Sequence, residues 1–361
     1  MTTFQLETLT VRGSARELGR GQGEAFRERI ERFIEMRFDA MRGYFADRGQ
    51  PDGWTEVIDV GREGLALYEG WDREGYAEMA GLAEGAGVPL DRLFTATNMT
   101  DFRDAVLLRA PSGAPLTKLN DEGCSSVLLP AKGAPIAGQT WDLNPPDIDF
   151  IVAIRRIPDE GLQTWSVTCT GCLTLMGINE RGVTVGTTNI KTYGSKPGVG
   201  YLSILHRSVR CESAKVAKVV IETAPHSGAH TYWVADEAQQ FEWEASPNGQ
   251  FLREATDAPV FRTNHCLAEA HQAKEGEVVG ESSKARFAKL GARLSTDLDV
   301  EGLKAVFADR SDGLLSINRY AEDDQGTATN AVFIAEPAKR LAHACRGPAD
   351  RGEWITLDFV N

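Results

Sequence analysis

The chain is poor in the residues that would tie it to a disulfide framework, a metal or a membrane. Six cysteines in 361 residues, at 124, 169, 172, 211, 266 and 345, are too sparse for a disulfide scaffold, so free buried thiols in a reducing, cytoplasmic setting are expected. The six histidines form no H-E-x-x-H, and no second C-x-x-C stands at ligand spacing from Cys169-Thr170-Gly171-Cys172. No metal is therefore expected, and the C-x-x-C reads as a pair of core thiols. A phosphate-binding G-x-x-x-x-G-K-[ST] and a G-x-S-x-G nucleophile elbow are both missing, and no other cofactor motif is present. No apolar run approaches the roughly 18 residues of a membrane span. The opening Met1-Thr-Thr-Phe-Gln-Leu lacks the basic and then apolar pattern of a secretory signal. Positive charge is also short. A formal net charge of −13 repels phosphate backbones and anionic membranes, which argues against nucleic-acid and membrane partners.

What is present suffices for a large core. Hydrophobic residues make up 42% of the chain, and a chain this long buries roughly three quarters of its unfolded surface. The first third reads helical, because Phe26, Ile30, Phe33, Ile34, Phe38, Met41 and Phe45 recur at three- and four-residue steps. Further helices are predicted over 63–68, 74–84 and 95–101, the second stopped by Gly-Ala-Gly at 85–87 and Pro89. A Gly- and Pro-rich stretch over 110–123 reads as an exposed loop. From Cys124 onward the character changes. Short runs rich in Val, Ile, Thr and Trp predict strands over 126–129, 136–141, 150–155, 164–168, 172–178 and 183–188. A helix over 213–221, strands over 231–235 and 241–244, helices over 283–294 and 300–309, and strands over 331–335, 340–343 and 354–359 complete the pattern. Helices first, then many hairpin-linked strands, argue for an α+β fold with layered sheets. The junction at 123/124 looks like a processing point inside one domain.

At that junction Gly123-Cys124-Ser125-Ser126 sets a thiol between a loop and the first strand, exposed on one side and rigid on the other. Glycine before it clears the path to the preceding peptide carbonyl. Downstream lie Gly138-Gln139-Thr140-Trp141-Asp142-Leu143-Asn144-Pro145, Thr187-Thr188-Asn189, Phe261-Arg262-Thr263-Asn264-His265 and Ser316-Ile317-Asn318-Arg319. With Glu17-Leu18-Gly19-Arg20-Gly21-Gln22-Gly23-Glu24 and Glu78-Met79-Ala80-Gly81-Leu82-Ala83-Glu84-Gly85, this set resembles the acyl-coenzyme A:isopenicillin N acyltransferase family of N-terminal nucleophile hydrolases. That family includes acyltransferases and amide hydrolases such as the β-alanyl-amine hydrolases. More distantly the chain is similar to penicillin V acylases and bile salt hydrolases.

The resemblance implies a four-layer αββα sandwich, two antiparallel sheets between helix layers. Residues 1–123 would be a mostly helical propeptide or α-chain and 124–361 the catalytic β-chain, the two forming one domain. It implies self-cleavage between Gly123 and Cys124, followed by attack of Cys124 on a linear amide or N-acyl substrate to give a thioester. The freed α-amino group, with an ordinary pKa of about 7.7–8.0 beside a thiol near about 8.5, would serve as the base. Asp142 matches the family's orienting acid and Asn264 its oxyanion donor. Asn189 matches the second Asn of the related acylases, and Arg319 a group bracing the nucleophile or the acid. Gln139 departs from the Arg of the bile salt hydrolases and penicillin V acylases, which weakens any transfer of their specificity. No cofactor is implied. Acyl-coenzyme A as a donor and a homo-oligomer of αβ units stay open.

Rival readings are a non-cleaving binding protein of the same fold, an acyl-CoA-dependent N-acyltransferase, a family member specialised for a cyclic or β-lactam substrate, and a thiol peptidase using Cys124 with His265. The pocket is expected between the first chain and the loop over 189–200.

Overall fold

Among the described residues, seven elements precede the junction: β1 (Glu7–Gly13), α1 (Ala15–Ala25), α2 (Arg27–Asp47), α3 (Trp54–Trp71), α4 (Arg73–Ala86), α5 (Leu90–Thr97) and α6 (Met99–Leu107). The structure, a computed structural model, describes residues 4–119, 123–130 and 134–360; residues 120–122 of the predicted loop lie outside the described residues. In α2 the row Phe33, Ile34, Phe38, Met41 and Phe45 is buried, as its spacing predicts. α4 starts on Asp72, whose carboxylate accepts from Gly75 N, and stops at Gly87 with φ 73°. α3 is far longer than the predicted run over 63–68, because two of its buried positions are Gly61 and Gly64 and carry no apolar signal.

The two glycine-rich motifs of this segment face each other. A Cβ on Gly19 of α1 would lie 1.8 Å from the Glu78 carbonyl oxygen, and one on Gly81 of α4 2.0 Å from that of Arg16. Backbone touches backbone at this crossing, and only hydrogen fits.

After the junction come β2 (Gly123–Leu129), β3 (Ile136–Leu143), β4 (Ile151–Pro158), β5 (Thr164–Cys169), β6 (Met176–Asn179) and β7 (Thr184–Asn189). They are followed by α7 (Tyr201–Val209), α8 (Ala214–Thr223), β8 (His230–Ala235), β9 (Gln240–Ser246), β10 (Gly249–Glu254), β11 (Val260–Arg262) and the single turn α9 (Glu269–Gln272). α10 (Glu281–Arg293), α11 (Val300–Phe307), β12 (Ala328–Glu336), β13 (Leu341–Arg346) and β14 (Ile355–Leu357) end the chain. The strand expected over 172–178 begins only at Met176, after turn residues. The pattern also did not show β1, β10, β11 and α7. Eight of the nine residues of α7 are buried, polar ones included, so it carries no one-sided apolar period.

The strands form an eight-stranded sheet, β1-β4-β5-β6-β7-β8-β9-β10, and a six-stranded sheet, β11-β2-β3-β12-β13-β14. Neighbours are antiparallel except at one edge, where β1 runs parallel to β4. α1, α7 and α8 lie on the larger sheet, and α10 and α11 on the smaller, giving the αββα layering. The sheets are stapled by Gln139, whose Oε1 accepts from Thr187 N and from Trp233 Nε1, both at 2.7 Å.

The first segment is also bound to the rest by buried charge. Glu78 of α4 meets Arg156 of β4 and His206 of α7, and Gln22 Nε2 donates to the Cys172 carbonyl at 3.0 Å. Burial opposes ionisation of Glu78, but Arg156 and His206 outweigh it and hold the carboxyl well below its usual range. Removing one member would strand a buried charge, at about 3–5 kcal/mol.

Candidate active site

Alternation along β2 decides where the thiol goes. Cys124 and Leu128 join the core between the sheets, while Val127 and Leu129 join the outer core under α10 and α11. Cys124 pairs with Trp141 of β3, and Gly123 pairs with Asp142. The residue opens into a cavity of about 30 Å³ lined by Thr100, Trp141, Asn189, Tyr201, His230 and Asn264. A larger chamber of about 250 Å³ adjoins it, sharing Thr100 and Leu143 and walled by α2 and α6 of the first segment.

Asn264 is the hub. Its Oδ1 accepts from the Cys124 main-chain nitrogen at 2.7 Å and from Arg286 Nη2 at 2.9 Å. Its Nδ2 donates to the Asn189 carbonyl at 2.9 Å, and its main-chain nitrogen donates to Ser283 Oγ at 2.9 Å. Arg286 Nη1 in turn donates to the Cys124 carbonyl at 2.6 Å and to Ser125 Oγ at 3.0 Å. The Cys124 Sγ lies 3.9 Å from the Asp142 main-chain oxygen. Gly123 is covered by two guanidinium groups, since a Cβ there would stand 3.1 Å from Arg319 Cζ and 3.2 Å from Arg286 Nη2. Arg319 is fixed by Thr327 Oγ1, which accepts from its Nη1 at 2.6 Å, and by Ser282 Oγ.

Asp142 is buried among these cations, with Thr140 Oγ1 donating to its Oδ2 at 3.4 Å. Burial pushes its carboxyl up to about 6, against the pull of Arg319 and Arg286. Two guanidinium groups and one carboxylate leave the cluster with net positive charge, the sign that stabilises an oxyanion.

The five side chains expected at the site fall in one cluster around Gly123. Cys124, Asp142, Asn264 and Arg319 converge directly. Asn189 lines the cavity and holds Asn264 through its main-chain carbonyl. In this structure Asn264 receives hydrogen bonds from Cys124 and Arg286, and one of its two amide hydrogens is committed to Asn189. Of the loop expected to wall the pocket, Asn189 alone borders the cavity at Cys124, while Ile190 and Lys191 border a neighbouring groove.

Sequence reasoning missed Arg286, Ser283, Tyr201 and His230. The first two carried a signal. Ser282, Ser283, Arg286 and Leu290 form the buried stripe of α10, so an arginine occupies a position where helical spacing calls for an apolar residue. Tyr201 and His230 sit at the starts of α7 and β8 and had no such pattern.

His265 is engaged elsewhere. Its Nδ1 lies 2.8 Å from Ser283 Oγ and 3.2 Å from Thr263 Oγ1, and burial, then Arg262 and Arg286, push its pKa down to about 4. That is a poor base for Cys124, and the peptidase reading loses its support. Cys169 and Cys172 are free and buried, and burial drives the Cys172 thiol up to about 12. Among the described residues no cluster of three or more His, Cys, Asp or Glu has the makings of a metal site, and no helix is long and apolar enough to cross a membrane.

A family model described as acyl-coenzyme A:6-aminopenicillanic acid acyl-transferase matches residues 130–350. Asp142, Asn189, Asn264, Arg286 and Arg319 fall inside that stretch, and Gly123 and Cys124 just before it. No curated protein matches. Among solved structures, a point mutant of conjugated bile acid hydrolase from Clostridium perfringens is 11% identical with a TM-score of 0.40, covering 66% of this chain and 97% of that one. A second variant of the same hydrolase is 12% identical, again with a TM-score of 0.40 and the same coverage. Penicillin V acylase from Agrobacterium tumefaciens is 10% identical with a TM-score of 0.36, covering 65% of this chain and 86% of that one.

Proposed function

The chain belongs to the acyl-coenzyme A:6-aminopenicillanic acid acyl-transferase family, and from that premise we propose that it cuts itself before Cys124 and then cleaves a linear amide or N-acyl bond through a Cys124 thioester. Family membership carries the coarser part, an enzyme of the hydrolase or acyltransferase kind acting on amides. The finer part is supported chiefly by one contact, the 2.7 Å hydrogen bond from the Cys124 nitrogen to Asn264 Oδ1. It gives the nucleophile's own nitrogen a fixed acceptor that serves equally before and after the Gly123–Cys124 bond is cut.

In maturation, Cys124 Sγ attacks the Gly123 carbonyl. The C–N bond breaks as the Cys124 nitrogen takes a proton, and water hydrolyses the resulting thioester to release residues 1–123 from 124–361. Arg319 and Arg286, both against Gly123, counter the charge on the oxygen. In turnover the freed α-amino group takes the thiol proton, and Sγ attacks the substrate carbonyl. The second amide hydrogen of Asn264, with Arg286 behind it, steadies the tetrahedral oxygen. Asp142 and Arg319 hold the nucleophile's strand end in place. Water then receives the acyl group; an amine in the same position would make the reaction a transfer. The chamber between α2 and α6 houses the body of the substrate, so the first segment shares in specificity after cleavage.

The deciding measurement is intact mass with N-terminal sequencing of the purified protein. Two chains, one beginning Cys-Ser-Ser-Val, are expected, and Cys124→Ala should stay whole and inert. A wild-type chain that remains 361 residues long on incubation would sink the mechanism and favour a non-cleaving binding protein.

A further inference from the structure

A second titratable pair faces the cavity at Cys124, and the thioester mechanism leaves it unused. His230 opens β8 directly opposite Asn189 of β7, the residue whose carbonyl holds Asn264. Its ring lines the same cavity as Cys124, is buried, and stacks on Tyr201 with centroids 4.4 Å apart. Its Nε2 lies 2.8 Å from Asp101 Oδ1 on α6. The Asp101 carboxylate also accepts from Tyr201 N at 2.6 Å and Gly228 N at 3.2 Å. Surrounded by donors, it acts as the acceptor and fixes a hydrogen on Nε2. His230 Nδ1, on the other side of the ring, has no hydrogen-bond partner among the described residues.

An imidazole backed by a carboxylate at one nitrogen, with the other nitrogen unpartnered, on a residue that shares its cavity with a nucleophile, is an arrangement that moves protons. The carboxylate sets the ring's orientation and stabilises the imidazolium. A buried polar atom left without a partner is destabilising until a group able to hydrogen-bond to it is supplied. The other titratable groups packed around His230 do not compete. Tyr201 and Tyr232 are pushed far up by burial, and His226 is pushed down to about 4, chiefly by burial.

We propose that His230 is a catalytic residue that handles the proton of the leaving and attacking groups, with Asp101 as its positioning residue. The proposal rests on the Cys124 thioester reading. It divides two protons between two sites. As Sγ bonds to the substrate carbon, the thiol proton goes to the Cys124 α-amino group. As the C–N bond breaks, its electron pair stays on nitrogen, and imidazolium Nδ1–H supplies that nitrogen's proton, so a neutral amine departs. In the return half, water attacks the thioester and gives its proton to Nδ1. The C–S bond then breaks, and the thiolate recovers the proton held by the α-ammonium. The sum is amide plus water to acid plus amine, with both groups restored. Asp101 lies before the cleavage point and His230 after it, so the pair also makes turnover depend on the two chains staying together.

The test exploits leaving groups. For the alkyl amide that the wild-type protein cleaves fastest, the 4-nitrophenyl ester of the same acyl group is measured alongside. Nitrophenolate departs without a proton; an alkylamine cannot. His230→Gln should lower the single-turnover rate of acylation by the amide about a hundredfold or more and by the ester less than threefold; acylation is measured because the later attack of water, in which His230 also serves, is common to both substrates. Asp101→Asn should show the same split with a smaller loss, and it decides the matter if His230→Gln does not mature. Equal losses on amide and ester, or no loss on the amide, would overturn the proposal. The underlying reading has its own readout, an acyl adduct on Cys124 seen by mass after mixing with the ester. No adduct, or no amide cleaved by the mature wild type, refutes the thioester and the role of His230 with it.

Discussion

Two ends of one layer, that between α10 and the six-stranded sheet, are made of opposite materials. At the far end Leu290 meets Val127, Leu129, Val332 and Ile334 of the sheet and Leu303, Val306 and Phe307 of α11 in an apolar cluster. At the near end the same helix presents Ser282, Ser283 and Arg286 to Gly123, Ser125, Asn264 and Arg319. The apolar end needs side chains of the right volume, and several would serve. The polar end needs each donor matched to a particular acceptor at a particular place. The first kind of packing holds the strand; the second sets where the nucleophile's nitrogen and carbonyl lie. Stability and chemistry are thereby separated along about two turns of helix.

That separation is breakable by mutation. Arg286→Met keeps the volume and removes the contacts to the Cys124 carbonyl and Asn264. Turnover should fall about 10²–10³-fold, measured on protein shown by mass to be cleaved. A loss under threefold would mean that Arg286 only fills space. Leu290→Ala, one turn further on, should do the reverse. A fully buried leucine cut to alanine costs about 2–5 kcal/mol of unfolding free energy, read by urea titration, while kcat stays within about twofold. If it lowers kcat as much as Arg286→Met does, the two ends are mechanically one unit and the comparison fails.

The same contrast explains what could be read in the sequence. Apolar stripes announced α2 and α11, and short runs rich in Val, Ile, Thr and Trp announced β3, β5, β7 and β12, because there the signal is the burial of carbon. Elements buried through polar or hydrogen side chains were silent. α7 buries Ser203, His206 and Ser208 along with its leucines, and much of α3 rests on glycines. At the site, Cys124, Asp142, Asn264 and Arg319 were legible from a family pattern, and the structure brings them together. Arg286 was on view one turn before Leu290 on the buried face of α10 and was passed over, since periodicity counts positions and not the partners those positions will meet. His230 and Asp101 stand 129 residues apart. Their meeting depends on α6 packing beside the start of β8, which no local pattern encodes.

Asp142 sharpens the comparison from the side of pH, with the smallest expected change. Its carboxyl titrates near about 6 in the fold, where burial outweighs Arg319 and Arg286. If the carboxylate is the working form, kcat/KM rises through about pH 6 from the acid side. Asp142→Asn should remove that limb and lower the plateau about tenfold, whereas Leu290→Ala should leave the limb in place. A limb that survives Asp142→Asn belongs to another group. The stability sign is the opposite of the activity sign. A carboxyl raised above its ordinary 3.8 holds its proton more tightly when folded, so it favours the fold at low pH and loses that contribution as pH climbs through about 6. Glu244 does the reverse. Burial works against its charge, but His271 and Arg262 prevail and hold it at about 2, adding stability above its ordinary 4.5 that is lost as pH falls toward 2. The carboxylate paired for structure thus strengthens the fold over the range in which the one kept for chemistry weakens it.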